Sequence, residues 1–372
     1  MGKLKNIEHK VKAIVFSIFG PILKKGRKEI PVIDGNKIAR VLFIRPDKLG
    51  DTIISFPVFD GLKKCFPHIE ISLLASRRNQ AIVDNDPRFR NIFIYSKNLF
   101  KDIGQIMKIR REKYDCVIDM VCDDSVTALF LTQLCAPGKP RVGVGKVKFR
   151  EYYDFNYDPQ WGKQGHIIDN TLKLLEAFGI DSRKISGYAT PYIDPESDSV
   201  GTEFIQSVYG REHNLVRIGY NLSAGNETRY WPENNTVELL NKIISHDIPN
   251  RVILLTTPED HSKGRRLAEN LDGSVIPLPR GLNIIEISAI IKHLDLLISP
   301  DTSLVHIARL FRVPVIGLYT KHRRNFLHWH PYDQSSGVVI SNNDLNIHDI
   351  TVEQVWEAFL ESMKNMEAAK RA

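Results

Sequence analysis

Short apolar runs alternate with stretches of helical period along most of the chain. In the first half these runs lie at 41–45, 71–76, 91–95, 114–120 and 141–145. Continuous apolar strands interleaved with helices are typical of a parallel sheet that is buried on both faces. The pattern therefore predicts a doubly wound α/β unit that closes with the run at 141–145.

A second alternation follows an irregular stretch at 152–213, which is rich in Asp, Tyr, Pro and Ser and holds a helix near 166–178. Apolar runs recur at 216–222, 251–257, 295–300 and 313–320, before a last amphipathic helix at about 351–366. Two such units predict a ligand cleft between domains, at the carboxyl ends of the strands. We predict an N-terminal segment over 1–38, a first Rossmann-like domain with its linker over 39–200, and a second over 201–372. The last helix could pack back on the first domain.

The first forty residues differ from the rest of the chain. Their apolar positions recur at three- and four-residue steps, as on one helix face: Leu4, Ile7, Val11, Ile14, Ile18 and Ile22. A basic run follows at 24–28. Two interpretations stay open: an amphipathic helix whose residues 3–28 bind an anionic membrane surface, or a helix packed on the protein's own core with solvated lysines. A signal peptide fits less well, because no small-residue cleavage site follows Leu23.

The distribution of charge also separates the first forty residues from the rest of the chain. The 372 residues include 51 Lys and Arg against 44 Asp and Glu, a formal net charge of +7. Ten of these cations and three of these acids lie in residues 1–40, so the rest of the chain, with 41 of each, is formally neutral. No basic stripe interleaved with aromatics follows, which argues against a nucleic-acid partner.

Cysteine usage and hydropathy narrow the class of protein. The four cysteines have no CxxC spacing and no clustered histidines, which argues against a disulfide scaffold and a structural zinc site. No apolar run reaches the roughly 18 to 20 residues that span a bilayer. A cytoplasmic protein of two domains, without a metal centre, is the expectation.

The first candidate site is the motif RPDKLGDTIISFP at 45–57, which follows a strand. The chain is expected to turn at Gly50 and to place Asp51 at a helix N-terminus, beside Arg45 and Lys48. Backbone N–H groups there attract anions, but a carboxylate there could equally be a plain helix cap. A single glycine in the loop argues against the dinucleotide fingerprint, and hence against a nicotinamide or flavin enzyme.

The second candidate is NLSAGNETRYWP at 221–232. Its exposed amides, hydroxyls and guanidinium suit a phosphate or pyrophosphate, with Ser223, Gly225, Thr228 and Arg229 as the candidate ligands. A glycine turn with a structural tryptophan explains the local sequence about as well.

The third candidate is ISPDTSLVHIA at 298–308. Asp301 follows a strand, and Thr302 and Ser303 are expected to cap a helix whose N-terminus offers donors to a diphosphate. His306 alone would more often be a buried structural histidine than a catalyst. The joint position of all three motifs at strand ends favours function.

In these three motifs the chain resembles the heptosyltransferase family of bacterial glycosyltransferases (family 9, GT-B fold). The resemblance runs from about residue 40 to about 331 and rests on LGDxxxxxP at 49–57, Arg-x-Trp-Pro at 229–232 and Asp-Thr-x-x-x-His at 301–306. It implies two Rossmann-like domains that face each other across a cleft. It also implies transfer of heptose from ADP-heptose, with inversion and without metal or cofactor, onto the lipopolysaccharide core.

The resemblance also assigns roles to residues. Asp51 takes the place of the acceptor-side general base, and Arg229 takes a position, often Lys, that binds the donor phosphates. Asp301 and Thr302 resemble the part that holds the donor sugar and diphosphate. Ser303 stands where many members have Gly, and His306 shares the motif without an assigned role. Surface loops at 77–90, 121–127 and 146–165 are expected to meet the acceptor.

Two rival functions stay open. A nucleotide-sugar epimerase of the same fold would convert the donor without any acceptor. A non-catalytic module would bind the membrane surface without nucleotide affinity. For the transferase, the expected partners are an ADP-linked sugar, a lipid-anchored saccharide and an anionic membrane, which places the protein at the cytoplasmic face of the bacterial inner membrane.

Overall fold

The computed structural model describes residues 16, 17, 20, 23, 25, 32–157, 165–210, 214–271 and 273–371. The chain divides into two compact units. The first unit comprises Met1–Lys163 and Ile167–Ala189, and the second comprises Gln164–His166 and Thr190–Ala372. Among the described residues, no helix combines the length and apolar character that a membrane crossing requires.

The first unit is a six-stranded parallel sheet between helices. Its strands are β1 (Arg40–Ile44), β2 (Glu70–Ser76), β3 (Phe89–Tyr95), β4 (Cys116–Asp119), β5 (Arg141–Val144) and β6 (Phe155–Tyr157). Its helices are α1 (Leu49–Ile53), α2 (Phe56–Cys65), α3 (Leu99–Arg111), α4 (Val126–Cys135) and α5 (Ile167–Leu172). The spatial order is β3-β2-β1-β4-β5-β6. The order reverses between β1 and β4, which we call the first switch point.

The second unit repeats this winding. Its strands are β7 (Val216–Asn221), β8 (Asn250–Leu255), β9 (Val275–Pro277), β10 (Leu296–Pro300), β11 (Val315–Tyr319) and β12 (Val338–Ile340). Its helices are α6 (Pro195–Tyr209), α7 (Glu233–Ile244), α8 (His261–Glu269), α9 (Ile284–Ile291), α10 (Ser303–Leu310), α11 (Arg323–Trp329) and α12 (Val352–Arg371). The order β12-β11-β10-β7-β8-β9 reverses between β7 and β10, the second switch point.

Burial on both sheet faces explains the continuous apolar strands. Along β1, Leu42 and Ile44 join the core under α3 and α4. Phe43 points to the opposite face, where its ring lies 4.9 Å from that of Phe59 on α2. Each fully buried side chain of this kind contributes roughly 1.5–3 kcal/mol. The predicted pair of Rossmann-like, doubly wound units of the GT-B class is confirmed.

The two ends of the chain show where the other predicted elements lie. In α12, the apolar face that includes Val355 and Phe359 packs into the core of the second unit. Most of the predicted amphipathic helix lies outside the described residues, and that helix stays a prediction. Of its described residues, Phe16 and Leu23 pack on the first unit, with the ring of Phe16 4.8 Å from that of Phe149.

Candidate functional site

All three sequence motifs follow strands that border a switch point. In the first unit, Asp51 comes after β1, and the loop at 120–124 comes after β4. In the second unit, the motif at 221–232 begins at the end of β7, and Asp301 directly follows β10. Ligands of doubly wound sheets bind in the crevice where the strand order reverses. The sheet order thus gives a physical reason for a site at each of these positions.

A buried guanidinium connects the two strands of the first switch point. Arg45 is fully buried, and its Nε donates to the Asp51 carbonyl at 2.9 Å. Its Nη1 lies 3.2 Å from Asp47 Oδ2, and its Nη2 lies 3.6 Å from Asp51 Oδ1. Nη1 also donates to the carbonyl of Met120 beyond β4. Because a buried charge must be paired, these contacts fix Arg45 and Asp51 relative to each other.

The local backbone around Asp51 differs from the sequence prediction. Gly50 lies inside α1 and makes no turn, and the N-cap of that helix is Lys48, whose exposed side chain makes no capping bond. The carboxylate of Asp51 is therefore in the first helical turn and is not the N-cap. The Asp51 carbonyl also accepts a hydrogen bond from Ser55 Oγ at 2.7 Å. The main chain of Asp51 is thus fixed by Arg45 and Ser55, and its carboxylate lies 3.6 Å from the Arg45 guanidinium.

Two further groups lie around Arg45. Burial, together with the nearby Asp51 carboxylate, raises the pKa of Asp47 against the attraction of Arg45. Within the described part of the chain, Asp47 Oδ1 has no hydrogen-bond partner. The Sγ of Cys122 lies 4.0 Å from Arg45 Nη1, and burial raises the pKa of that thiol to about 11. Cys122 is therefore neutral near pH 7, and Asp47, whose pKa is raised to about 7, is partly protonated there.

A second buried cation holds the loop after β4. Lys146 Nζ lies 2.9 Å from Asp119 Oδ2, and both side chains are fully buried. The same ammonium donates to the carbonyls of Val121 and Asp123, at 2.5 and 2.9 Å. Arg45 bonds the start of this loop and Lys146 bonds its middle. The loop at the first switch point is consequently anchored by two buried charges.

The second switch point carries an ion pair that is open to solvent. Arg229 Nη1 lies 3.0 Å from Asp301 Oδ2 and donates to the Asp301 carbonyl at 3.1 Å. The side chain of Arg229 is 30% exposed. The structure thus brings together two predicted site residues from separate motifs. The pair orients a guanidinium that a ligand phosphate can still reach.

The start of α10 is capped less than the sequence predicts. Thr302 is the N-cap, but its side chain makes no capping hydrogen bond. Its Oγ1 instead accepts from Asn221 Nδ2 at 3.0 Å, and Asn221 also donates to Ser299 Oγ at 2.9 Å. Ser303 is the first residue of the helix. The side chain of Thr302 therefore leaves the N–H groups of the first turn to an anion.

The turn after β7 has a structural half and an exposed half. Ser223 is buried, where its Oγ donates to Asp260 and accepts from the Thr257 amide at 2.9 Å. Gly225 and Thr228 are exposed, and the space around the α-carbon of Gly225 is open. Ser223 therefore holds the turn, and the exposed pair is placed to meet a ligand.

His306 lies in a buried cluster of rings. Its ring centroid is 5.6 Å from that of Trp329 and 6.4 Å from that of His166. Burial, reinforced by His330, lowers the pKa of His306 to about 4, and its Nδ1 has no hydrogen-bond partner among the residues that the structure describes. The imidazole is therefore neutral near pH 7. Within the described ranges, no group of three or more His, Cys, Asp or Glu could hold a metal ion.

Sequence reasoning missed several residues that hold the site together. Asp47 stands in the first motif, two positions after Arg45, so its carboxylate could have been predicted to belong to the site. Asn79 is buried and donates to the Arg45 carbonyl at 2.7 Å. Like Lys146 and Asp119, it lies in no motif and far along the chain from its partners. Only the fold reveals such residues.

The family model and the curated relatives agree on one family. The sequence model described as "Glycosyltransferase family 9 (heptosyltransferase)" matches residues 105–355. The chain is similar to lipopolysaccharide core heptosyltransferase OpsX of Haemophilus influenzae, at 21% identity over 303 residues that cover 80% of this chain and 82% of that protein.

Two solved structures share the fold. A family 9 glycosyltransferase of Veillonella parvula superimposes with a TM-score of 0.72 at 18% identity, over 90% of this chain and 99% of that one. Heptosyltransferase WaaC of E. coli, solved with ADP, gives a TM-score of 0.67 at 17% identity, over 87% and 98%. These identities support the fold alone, whereas the family match covers more than half of the chain. The protein therefore belongs to glycosyltransferase family 9, the heptosyltransferases, and is a glycosyltransferase.

Proposed function

We propose that the protein transfers a heptose from ADP-heptose to a lipopolysaccharide-core or related lipid-linked acceptor, with inversion and without metal. The observation that carries the proposal is the presence of a fixed carboxylate, Asp51, at one switch point and a solvent-accessible guanidinium, Arg229, at the other. The similar proteins, a lipopolysaccharide core heptosyltransferase and a heptosyltransferase solved with ADP, support the choice of donor and acceptor.

The second unit is proposed to bind the donor. As the bond between the sugar and ADP breaks, negative charge grows on the diphosphate. Arg229 and the first-turn N–H groups of α10 would stabilise that charge, and their effect strengthens toward the transition state. Before the donor binds, Asp301 neutralises Arg229 and holds its orientation. Exposed Gly225 and Thr228 are positioned on the same turn to meet the donor.

The first unit is proposed to activate the acceptor. A sugar hydroxyl has a pKa far above 7 and needs a base within hydrogen-bond reach. Asp51 would accept the hydroxyl proton while the hydroxyl oxygen bonds to the anomeric carbon, and ADP would leave with the electron pair of the broken bond. Arg45 holds Asp51 in place, because its Nε donates to the Asp51 carbonyl and its Nη2 lies 3.6 Å from the carboxylate. Lys48 is exposed beside this carboxylate and is available to an anionic acceptor.

The proposed location follows from the acceptor. A lipid-anchored saccharide requires an enzyme at a membrane surface, and we place this one peripherally at the cytoplasmic face of the bacterial inner membrane. The basic segment at 3–28 supports this placement, because cationic helices adsorb to anionic lipid.

The test measures release of ADP from ADP-heptose, with and without heptose-deficient lipopolysaccharide core. The proposal expects ADP and a heptosylated acceptor only when both substrates are present. Conversion of the donor without acceptor would instead support the epimerase. Absence of transfer to any core acceptor, with ADP binding also absent, would support the non-catalytic module. A control with UDP-linked sugars checks that the nucleotide is recognised.

A further inference from the structure

Helix α3 of the first unit leaves an apolar face uncovered. Leu99, Ile103 and Met107 recur at steps of four, which places them above one another on one face of the helix. Phe100 lies beside them. Leu99 is 71% exposed and Phe100 84%, and the other two are also exposed. We call these four side chains the α3 stripe.

The α3 stripe is separate from the face that folds the protein. An adjoining side of the helix buries Ile109, with Ile106 half-buried, in the core of the first unit. Single exposed apolar side chains are ordinary, whereas a contiguous group marks an interaction surface. Of the nine large apolar side chains exposed among the described residues, four belong to this stripe. The helix therefore has one face for the core and a second for a partner.

The charges around the stripe are positive. The exposed basic residues of this region are Lys97, Lys101, Lys108, Arg110 and Arg111. The acidic side chains of the same segment are buried or lie close to a cation. Asp102 is buried and accepts hydrogen bonds from the amide and hydroxyl of Ser96, at 2.8 Å each, and Glu112 lies 3.5 Å from Arg90. The partner of this face should therefore combine apolar material with negative charge.

The α3 stripe also begins at the side of the sheet where the parallel strands end. Because all strands are parallel, the start of α3, which follows β3, lies at the same edge as Asp51, which follows β1. The loop after β5 adds another exposed apolar residue to this edge, Val147, next to exposed Lys148. A partner on this face would meet the edge that carries the candidate base.

We propose that the α3 stripe and its flanking cations dock the first unit on an anionic phospholipid bilayer. Apolar side chains of an amphipathic helix enter the interface between headgroups and acyl chains, while lysines and arginines meet lipid phosphates. A second copy of the chain fits less well, because two such faces would bring like charges together. The membrane contact rests on the proposed function only in that a lipid-linked acceptor would be presented at the Asp51 edge.

The test compares binding of the full chain to phosphatidylcholine vesicles with and without phosphatidylglycerol, by co-sedimentation. Phe100→Ser with Met107→Ser is expected to reduce partitioning onto the anionic vesicles about tenfold, since two apolar side chains no longer enter the interface. The matched control is Leu345→Ser, a leucine of the second unit that is 76% exposed. It should bind like the unchanged protein. Residues 3–28 stay intact throughout, so that a loss belongs to α3.

A charge variant tests the other half of the proposal. Lys101→Gln with Lys108→Gln should weaken binding to anionic vesicles and leave the weak binding to phosphatidylcholine unchanged. The proposal is overturned if the Phe100 and Met107 variant binds anionic vesicles as the Leu345 control does. It is also overturned if that variant loses self-association in sedimentation velocity while vesicle binding is retained.

A soluble, delipidated core acceptor separates this proposal from the proposed function. The stripe variant should transfer sugar to it at the unchanged rate and melt at the unchanged temperature. A parallel loss of melting temperature and transfer would assign the stripe to folding and contradict docking. If the unchanged protein transfers nothing, the proposed function fails, but the vesicle comparison still decides the membrane contact.

Discussion

The two switch points have the same strand topology and use their arginines in different ways. Arg45 in the first unit is fully buried between Asp47 and Asp51. Arg229 in the second unit pairs with Asp301 and is 30% exposed, so solvent reaches the ion pair. A buried cation held between two carboxylates cannot exchange partners cheaply, so it suits the holding of another residue. A partly exposed cation can bind an anion that arrives and leaves, as a donor diphosphate must.

The largest effect should come from removal of the carboxylate that Arg45 holds. Asp51→Ala should lower kcat by roughly 10²–10⁴-fold, the usual contribution of a general base. Steady-state transfer assays measure this loss. The same variant should bind ADP like the unchanged protein in calorimetry, because Asp51 belongs to the acceptor side. An unchanged kcat would remove Asp51 from the chemistry.

Removal of the buried cation should primarily reduce stability. Arg45→Met removes a fully buried cation and leaves the partly buried carboxylates of Asp47 and Asp51 without their counter-ion, so the free energy of unfolding should fall by about 3 kcal/mol. Denaturant titration measures this quantity. The control Lys48→Met alters an exposed cation of the same motif and should stay within about 0.5 kcal/mol of the unchanged protein. Equal effects of the two substitutions would contradict the contrast between buried and exposed cations.

Removal of the exposed cation should primarily reduce affinity. Arg229→Ala should weaken ADP binding by roughly 1.5–3 kcal/mol, the typical contribution of a hydrogen bond to a charged group. Calorimetry with ADP measures it. Arg229→Lys keeps the charge but loses the planar fork, and it should recover part of the affinity. A fall in unfolding free energy as large as that of Arg45→Met would show that Arg229 is structural.

The smallest effect is a pH dependence at the second switch point. The folded-state pKa of His306, lowered to about 4 by burial, lies below its unfolded value, so folding favours the neutral ring. The stability this provides is present above the unfolded pKa and is lost as pH falls toward the folded one. Between about pH 7 and pH 5 the protein should lose roughly 1–2 kcal/mol relative to His306→Gln. If the free energy of unfolding falls equally in the two proteins as the pH is lowered, that result would contradict a buried neutral His306.

The local pattern of apolar and polar residues predicted much of the fold. Strands such as 41–45 and 216–222 are apolar because both faces of each sheet are covered, and this signal is read directly from the sequence. Which strand lies beside which is not local, so the pairing of β1 with β4 and the switch points emerged only from the fold.

The site residues also divide into those that the sequence predicts and those that only the fold reveals. Asp51 and Arg229 were found because their motifs follow strands, but Lys146 and Asp119 lie 27 positions apart and only the fold brings them into contact. The turn predicted at Gly50 was wrong because Gly50 lies inside a short helix. Thr302 is an N-cap as predicted, but its side chain accepts a hydrogen bond from Asn221 and does not cap the helix. Periodicity also shows that α3 is amphipathic without showing which apolar side chains remain exposed.

The central claim is that acceptor activation and donor binding reside on separate units. Calorimetric titration of ADP into Asp51→Ala and Arg229→Ala, side by side, tests it most directly. The account predicts unchanged ADP affinity in the first variant and a loss of about tenfold or more in the second. Equal loss of ADP affinity in both variants would contradict the division of labour between the two switch points.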